Sequence, residues 1–166
     1  MNRAVLLIIV LTLISSCRTN TDKQKSMNNI RSEVSSKTYV ELKAEIVWGK
    51  LIAFGGTEKF VPKLIEKVTV KGVGIGAIRN IYLKGGGEII EELTKIDNKK
   101  MYMEFIILST PMPITKYTGI FKVDEISNNR CEVKFSSKYN VSLEQKNEMK
   151  SVIKGFQETF ISNLDK

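Results

Sequence analysis

From Leu64 to Asn140 apolar and polar residues alternate with a period of two, and turn-forming residues interrupt the alternation about every ten positions. The interruptions are Gly72 to Gly76, Gly85 to Gly87, Asp97-Asn98, Pro111 to Pro113 and Ser127 to Asn129. This spacing predicts six strands over roughly 64–71, 76–83, 88–96, 101–108, 115–126 and 130–140. Their short connections allow only antiparallel neighbours, so the strands form a meander. Upstream, Ile30 to Thr38 alternates weakly and predicts a first strand. Between Glu41 and Ile52 the period becomes helical: Leu42, Ile46, Trp48, Leu51 and Ile52 form one stripe, ended by Gly55-Gly56. A short turn over Glu58 to Phe60 meets Pro62. At the far end Ser142 and Gln145 form a capping box, and Met149, Val152, Ile153, Phe156, Phe160 and Leu164 recur at spacings of three and four. That helix must bury its stripe, and the apolar face of the sheet is the one large partner. The predicted order is strand, two short helices, six strands and a long C-terminal helix, an α+β arrangement.

The first residues follow a different pattern. Arg3 precedes an apolar run from Ala4 to Leu13, interrupted only by Thr12, and then Ile14-Ser15-Ser16-Cys17. A positive start, about ten apolar residues and small residues before a cysteine describe a signal peptide; a membrane-spanning helix needs about twenty apolar residues. Leu13 to Cys17 resembles the lipobox of bacterial lipoproteins, with Ile14 and Ser16 where other residues are commoner. The resemblance implies diacylglycerol on the Cys17 thiol, cleavage before Cys17 and acylation of the new amine, and several acyl chains anchor where one is marginal. Arg18 follows in place of the aspartate that retains Gram-negative lipoproteins in the inner membrane, which favours the outer membrane in a two-membrane cell. The expected layout is a signal peptide over 1–16, a lipidated polar tether over 17–27 and one domain over 28–166. Ten tether residues span roughly 17 Å as a coil, so the domain would sit near the membrane.

Composition narrows the chemistry. With 166 residues, 42% hydrophobic and 27% charged, the chain has material for one sizeable core. The net charge of +8 comes from scattered lysines with no arginine-rich face or recognition motif, so nucleic acid is not an expected partner; a basic surface near anionic headgroups is. There is no histidine, which removes Ser-His-Asp and Cys-His catalysis and the commonest metal ligand, and no metal or cofactor is expected. Gly72, Gly74 and Gly76 lie in a hairpin rather than a strand-to-helix turn and read as turn glycines. Cys131 falls in a strand pattern as a small buried apolar residue and Trp48 as core.

The element order, together with Gly74-Ile75-Gly76-Ala77-Ile78-Arg79, Glu91-Glu92-Leu93 and Tyr117, resembles the START-like (SRPBCC, helix-grip) superfamily over about Val40 to Leu164. Within it the chain is most similar to the polyketide cyclase/dehydrase and lipid transport proteins and to the plant abscisic-acid receptors. The resemblance implies a curved antiparallel sheet of about seven strands wrapped on the C-terminal helix, with an elongated cavity between them. It implies a pocket lined by Ile81 and Leu83, with Glu91, Phe105, Ile107 and Tyr117 on the following strands, a set that strand alternation also supports. Gly85 to Gly87 and Met112 to Ile114 fall where two loops guard the mouth. Ile65 replaces the receptors' pocket lysine, glycines replace their proline-bearing gate, and Met112-Pro113 replaces the His-Arg of their second loop. A mostly apolar ligand is expected rather than an acidic one.

The expected ligand-binding set is therefore Ile65, Ile81, Leu83, Glu91, Phe105, Ile107, Tyr117, Val152, Phe156 and Phe160, with Arg79 and Glu91 as polar anchor. Arg79 shares the parity of Glu91 and could pair with it, which would make Glu91 a structural ion pair or rim carboxylate rather than an acid/base group. No catalytic residue is assigned. The leading expectation is a monomeric, membrane-anchored envelope lipoprotein binding a hydrophobic small molecule or lipid. The alternatives are a cyclase- or hydrolase-like enzyme on an apolar substrate, using Glu91, Arg79 or Tyr117, and a protein-interaction module with a filled core.

Overall fold

A strand whose alternate residues are apolar must lay that face on a core, and β1 (Asn29–Val40) does so with inward Ser32, Val34, Ser36 and Val40 against outward Arg31, Glu33, Ser35 and Lys37. The computed structural model describes Asn29 to Lys166. The expected signal peptide, Cys17 and the 17–27 tether lie outside the described residues. After β1 come helices α1 (Ala44–Ile52) and α2 (Thr57–Phe60). The meander follows as β2 (Ile65–Lys71), β3 (Ile78–Leu83), β4 (Glu88–Asp97), β5 (Tyr102–Ser109), β6 (Ile114–Ser127) and β7 (Arg130–Ser142), and α3 (Lys146–Ile161) closes the chain.

All seven strands form one antiparallel sheet in the order β1-β7-β6-β5-β4-β3-β2. Each strand from β2 to β7 neighbours the next, as short turns require, and only β1 crosses over, bringing Asn29 opposite Ser142 and Val40 opposite Cys131. Bulges between Thr115 and Thr118 in β6, at Thr94 in β4 and at Leu108 in β5 bend the sheet around α3, the curvature of a helix-grip fold. Gly72, Gly74 and Gly76 take positive φ values of 88°, 71° and 86° in the β2–β3 turn, which confirms them as turn glycines.

The helices differ in detail from expectation. α1 begins at Ala44, not Glu41, and buries Ala44, Val47, Trp48 and Leu51, an i, i+3, i+4, i+7 stripe. Ile46 lies outside that stripe and is 48% exposed. Trp48 is core, and its indole Nε1 donates to Asn98 Oδ1 at 3.1 Å. Ser142 Oγ accepts from the Gln145 N–H at 3.3 Å, and the Gln145 N–H also reaches the Ser142 carbonyl, but these bonds close the turn before α3; the helix takes Gln145 as its N-cap with no side-chain cap, so the expected capping box does not start it. α3 buries Met149, Ile153, Gln157, Phe160 and Ile161. Val152 is on its outer side, 49% exposed. Cys131 is fully buried, as a small apolar residue would be.

Candidate functional site

The concave face of the sheet gathers aromatic residues because inward positions on β5, β6 and β7 carry Phe105, Tyr117, Phe121, Phe135 and Tyr139. Phe105 is central: its ring lies 6.0 Å from Phe54 and from Phe121, and 6.2 Å from Tyr117 and Phe135. Phe160 of α3 packs on Phe121 at 5.2 Å and on Phe60 of α2 at 5.0 Å, while Phe156 stands edge-on to Phe135 at 6.3 Å. These rings occupy much of the space between sheet and helix. Opposite Phe105, Gly119 leaves the room the ring fills, for a Cβ there would fall 2.2 Å from it.

At the β3–β4 end of this layer, Arg79 and Glu91 face each other in register. Arg79 Nε donates to Glu91 Oε2 at 2.7 Å and Nη2 lies 2.5 Å from the same oxygen. Nη1 donates to the Phe54 carbonyl at 3.3 Å and to Thr57 Oγ1 at 3.2 Å, and the guanidinium stacks over the rings of Phe54 at 4.1 Å and Phe105 at 5.2 Å. Burial pushes the Glu91 carboxyl above its ordinary range, against the pull of Arg79. The pairing foreseen from strand parity is present, and it ties the sheet to the α1–α2 segment. Phe54 and Thr57 are the partners sequence reasoning missed. Nothing in the pattern of the Phe54 to Thr57 stretch marks a carbonyl and a hydroxyl as ligands for an arginine distant in sequence.

A second polar group lies under α3. Gln157 Nε2 donates to Ser137 Oγ at 2.8 Å and to the Val34 carbonyl at 3.4 Å, and Ser137 Oγ shares a 2.7 Å hydrogen bond with the Tyr117 hydroxyl. Burial raises the Tyr117 hydroxyl well above the ordinary tyrosine range. Beside this chain, Tyr139 is opposite Ser32 on the neighbouring strand and stacks on Tyr117 with ring centroids 6.5 Å apart. Tyr139 Oη, Gln157 Oε1 and Ser32 Oγ are buried and bond to no group among the described residues. None of Ser32, Ser137, Tyr139 or Gln157 was expected at the site. Gln157 could have been found, as a polar residue on the apolar stripe of the final helix.

Tyr117 also opens outward. With Ile107, Leu108, Ser109, Thr110, Ile114, Thr115 and Lys116 it lines a groove of about 360 Å³ between the end of β5 and the start of β6. Of the expected ligand set, Ile65, Ile81, Glu91, Phe105, Tyr117 and Phe160 are buried, and Leu83, Ile107 and Phe156 are half-buried. The structure brings Phe105, Tyr117, Phe156 and Phe160 into one aromatic layer and Ile107 and Tyr117 into the groove. Val152 does not join them: it sits a quarter turn from Ile153, whose neighbours at 149, 157 and 160 set the buried stripe, and so it faces out of the fold. Among the described residues no group of three or more acidic or Cys side chains converges as a metal site would require.

A curved seven-stranded antiparallel sheet gripping a C-terminal helix, with an aromatic interior and a groove at one end, defines a helix-grip protein. The chain belongs to the polyketide cyclase / dehydrase and lipid transport family, whose profile matches residues 31–166. Solved structures share the fold at low sequence identity. XoxI from Bacillus cereus aligns with TM-score 0.72 at 21% identity, over 81% of this chain and 93% of that one. Norcoclaurine synthase from Thalictrum flavum, in complex with dopamine and hydroxybenzaldehyde, aligns with TM-score 0.71 at 18% identity, over 93% and 94% of the two chains. The Zhui aromatase/cyclase of Streptomyces sp. R1128 aligns with TM-score 0.70 at 13% identity, over 81% and 92%. No curated protein matches the chain.

Proposed function

We propose that this is a membrane-anchored lipoprotein of the cell envelope, at the outer membrane where there are two, that binds a hydrophobic small molecule or lipid between the sheet and α3. One observation carries the reading: Tyr117 joins a surface groove of mixed polar and apolar lining to a buried polar row in which Tyr139 Oη, Gln157 Oε1 and Ser32 Oγ have no partner among the described residues. A buried polar group without a hydrogen bond costs about 1–3 kcal/mol, and such groups are rare without a reason. A ligand with an apolar body and a hydroxyl, carbonyl or amide end would satisfy them, matching the usual design of apolar walls with a few placed polar groups. Arg79 is engaged by Glu91, Phe54 and Thr57 and offers a weaker anchor than the row under α3. The family's lipid-transport members support the ligand class, and the lipobox-like Leu13 to Cys17 supports the anchor.

The test is native mass spectrometry of the protein purified without detergent, beside Tyr139→Phe, with thermal unfolding of both. A co-purifying lipophile, reduced at least several-fold in the variant while the stripped variant is as stable as the stripped wild type or more so, is the expected result. Bare protein that takes up no lipophilic probe would overturn the reading and favour the filled-core interaction module.

An enzymatic reading rests on a different observation, the buried Glu91 held by Arg79 at 2.7 Å with its carboxyl raised by burial. Turnover of an apolar substrate that is lost in Glu91→Gln, with ligand binding intact, would favour it.

A further inference from the structure

The groove and the chain's entry into the sheet lie at the same end of the molecule. Asn29 pairs with Ser142 and Ile30 with Val141, and Val141 in turn pairs with Ile114, a wall of the groove. The first residue of β1 therefore sits in the strand row that forms the mouth. Gly87 approaches Pro111, with 3.5 Å between the proline ring and a Cβ built on the glycine, so the 84–87 and 110–113 loops make one continuous rim. On and beside that rim Leu108 is 51% and Leu143 65% exposed, and Lys84, Lys116 and Lys146 are exposed and in no ion pair among the described residues. Apolar residues are as exposed at the opposite end, Val73, Ile75 and Ile126 among them; the mouth end is set apart by the groove and by the chain's entry there, and the lysines around its leucines suit a surface that is apolar within and anionic at its edge.

From these placements we infer that the mouth rim is a membrane-docking surface: Leu108 and Leu143 enter the headgroup boundary of a bilayer, Lys84, Lys116 and Lys146 lie against anionic headgroups, and the groove opens onto the lipid. The inference rests on the proposed lipid anchor at Cys17. Chain length supports the orientation. From Cys17 to Asn29 is a step of twelve residues, which even fully extended reaches only about 40 Å. β1 alone, twelve residues long, spans about 40 Å. With the mouth facing the bilayer those twelve residues have length to spare. With the opposite end facing it, the tether would have to run the length of β1, near the limit of a fully extended chain. The ligand then enters from the bilayer rather than from water.

The test uses the full, acylated chain in vesicles of phosphatidylcholine and phosphatidylglycerol, with one fluorophore on Leu143→Cys or on Asn128→Cys in the β6–β7 turn at the other end of β7. Cys131 is buried with its thiol pushed up by burial, so labelling stays at the introduced site. A quencher carried on lipid acyl chains is expected to quench the label at 143 at least several-fold more than the label at 128, with aqueous iodide showing the reverse. Equal quenching, the opposite order, or no lipid quenching at either site in vesicle-bound protein overturns the docking. Protein absent from the vesicle fraction overturns the anchor, and the docking with it. Leu143→Glu is expected to slow extraction of a pyrene-labelled fatty alcohol from the vesicles at least several-fold while the amount bound at equilibrium is unchanged. An equal loss of binding and rate would make Leu143 a ligand wall, and an unchanged rate would leave it no part in docking.

Discussion

Gly119 shows how one residue sets the interior. Its missing side chain admits the Phe105 ring, which touches four other aromatic residues. Gly119→Ala is expected to destabilise the protein by about 1–3 kcal/mol, because the added methyl has nowhere to go in a filled layer. A shift of the denaturation midpoint at unchanged slope would show it. Glu91 gives a pH signature. Burial raises its carboxyl in the folded state above the ordinary 4.5, so the folded protein holds a proton that the unfolded chain has released. Its contribution to stability is thus greatest below that ordinary value and declines as pH rises through the window above it. The stability difference between wild type and Glu91→Gln is expected to shift against the wild type as pH rises through 4.5 and above it, and to be flat below that range. A difference that moves the other way would show that Arg79 stabilises the carboxylate by more than burial costs it. The Arg79–Glu91 pair was legible in the sequence because strand parity alone places both inward. The Tyr139 and Gln157 orphans were not, because whether a buried polar atom finds a partner depends on which strand and which helix turn lie over it.

At the scale of elements, α1 separates what periodicity gives from what it leaves open. Leu42, Ile46, Trp48, Leu51 and Ile52 are all apolar and lie within a broad arc, so the hydrophobic pattern admits more than one face. Packing chooses the stripe through Ala44, Val47, Trp48 and Leu51. Ile46→Lys is expected to change stability by no more than about 0.5 kcal/mol, as at other exposed positions. Val47→Lys places an unpaired charge in the core and is expected to cost several kcal/mol, a contrast that thermal melts of the two variants would read directly. The same reasoning explains Val152. Both it and Ile153 fit spacings of three or four along α3, and only the sheet beneath the helix decides between them.

For the whole molecule, the crossover of β1 to the far edge next to β7 makes β7 a fully paired central strand, flanked by β1 and β6. Amide exchange is expected to be slowest in β7, which is paired along its length on both sides and buried under α3, and fastest in β2, an edge strand whose Glu66, Lys67, Thr69 and Lys71 face solvent. Slow exchange in β2 comparable with β7 would show a partner covering that edge. Exposed charged residues on both edge strands, Arg31, Glu33 and Lys37 on β1 among them, also oppose edge-to-edge pairing with another copy.

The sequence by itself determined the element order, the antiparallel meander, the inward parity of Arg79, Glu91, Phe105 and Tyr117, and the long final helix, because period, turn residues and caps are local properties of the chain. Only the tertiary structure decided which end of the sheet carries the groove and that Asn29 enters at that same end. It also decided that aromatic rings fill much of the layer where an open cavity was expected, and that Gln157 on the buried face of α3 keeps an amide oxygen without a partner among the described residues. Those outcomes depend on contacts between residues distant in sequence, Val34, Ser137 and Gln157 above all, whose meeting is set by the crossover of β1 and the bend of the sheet around α3.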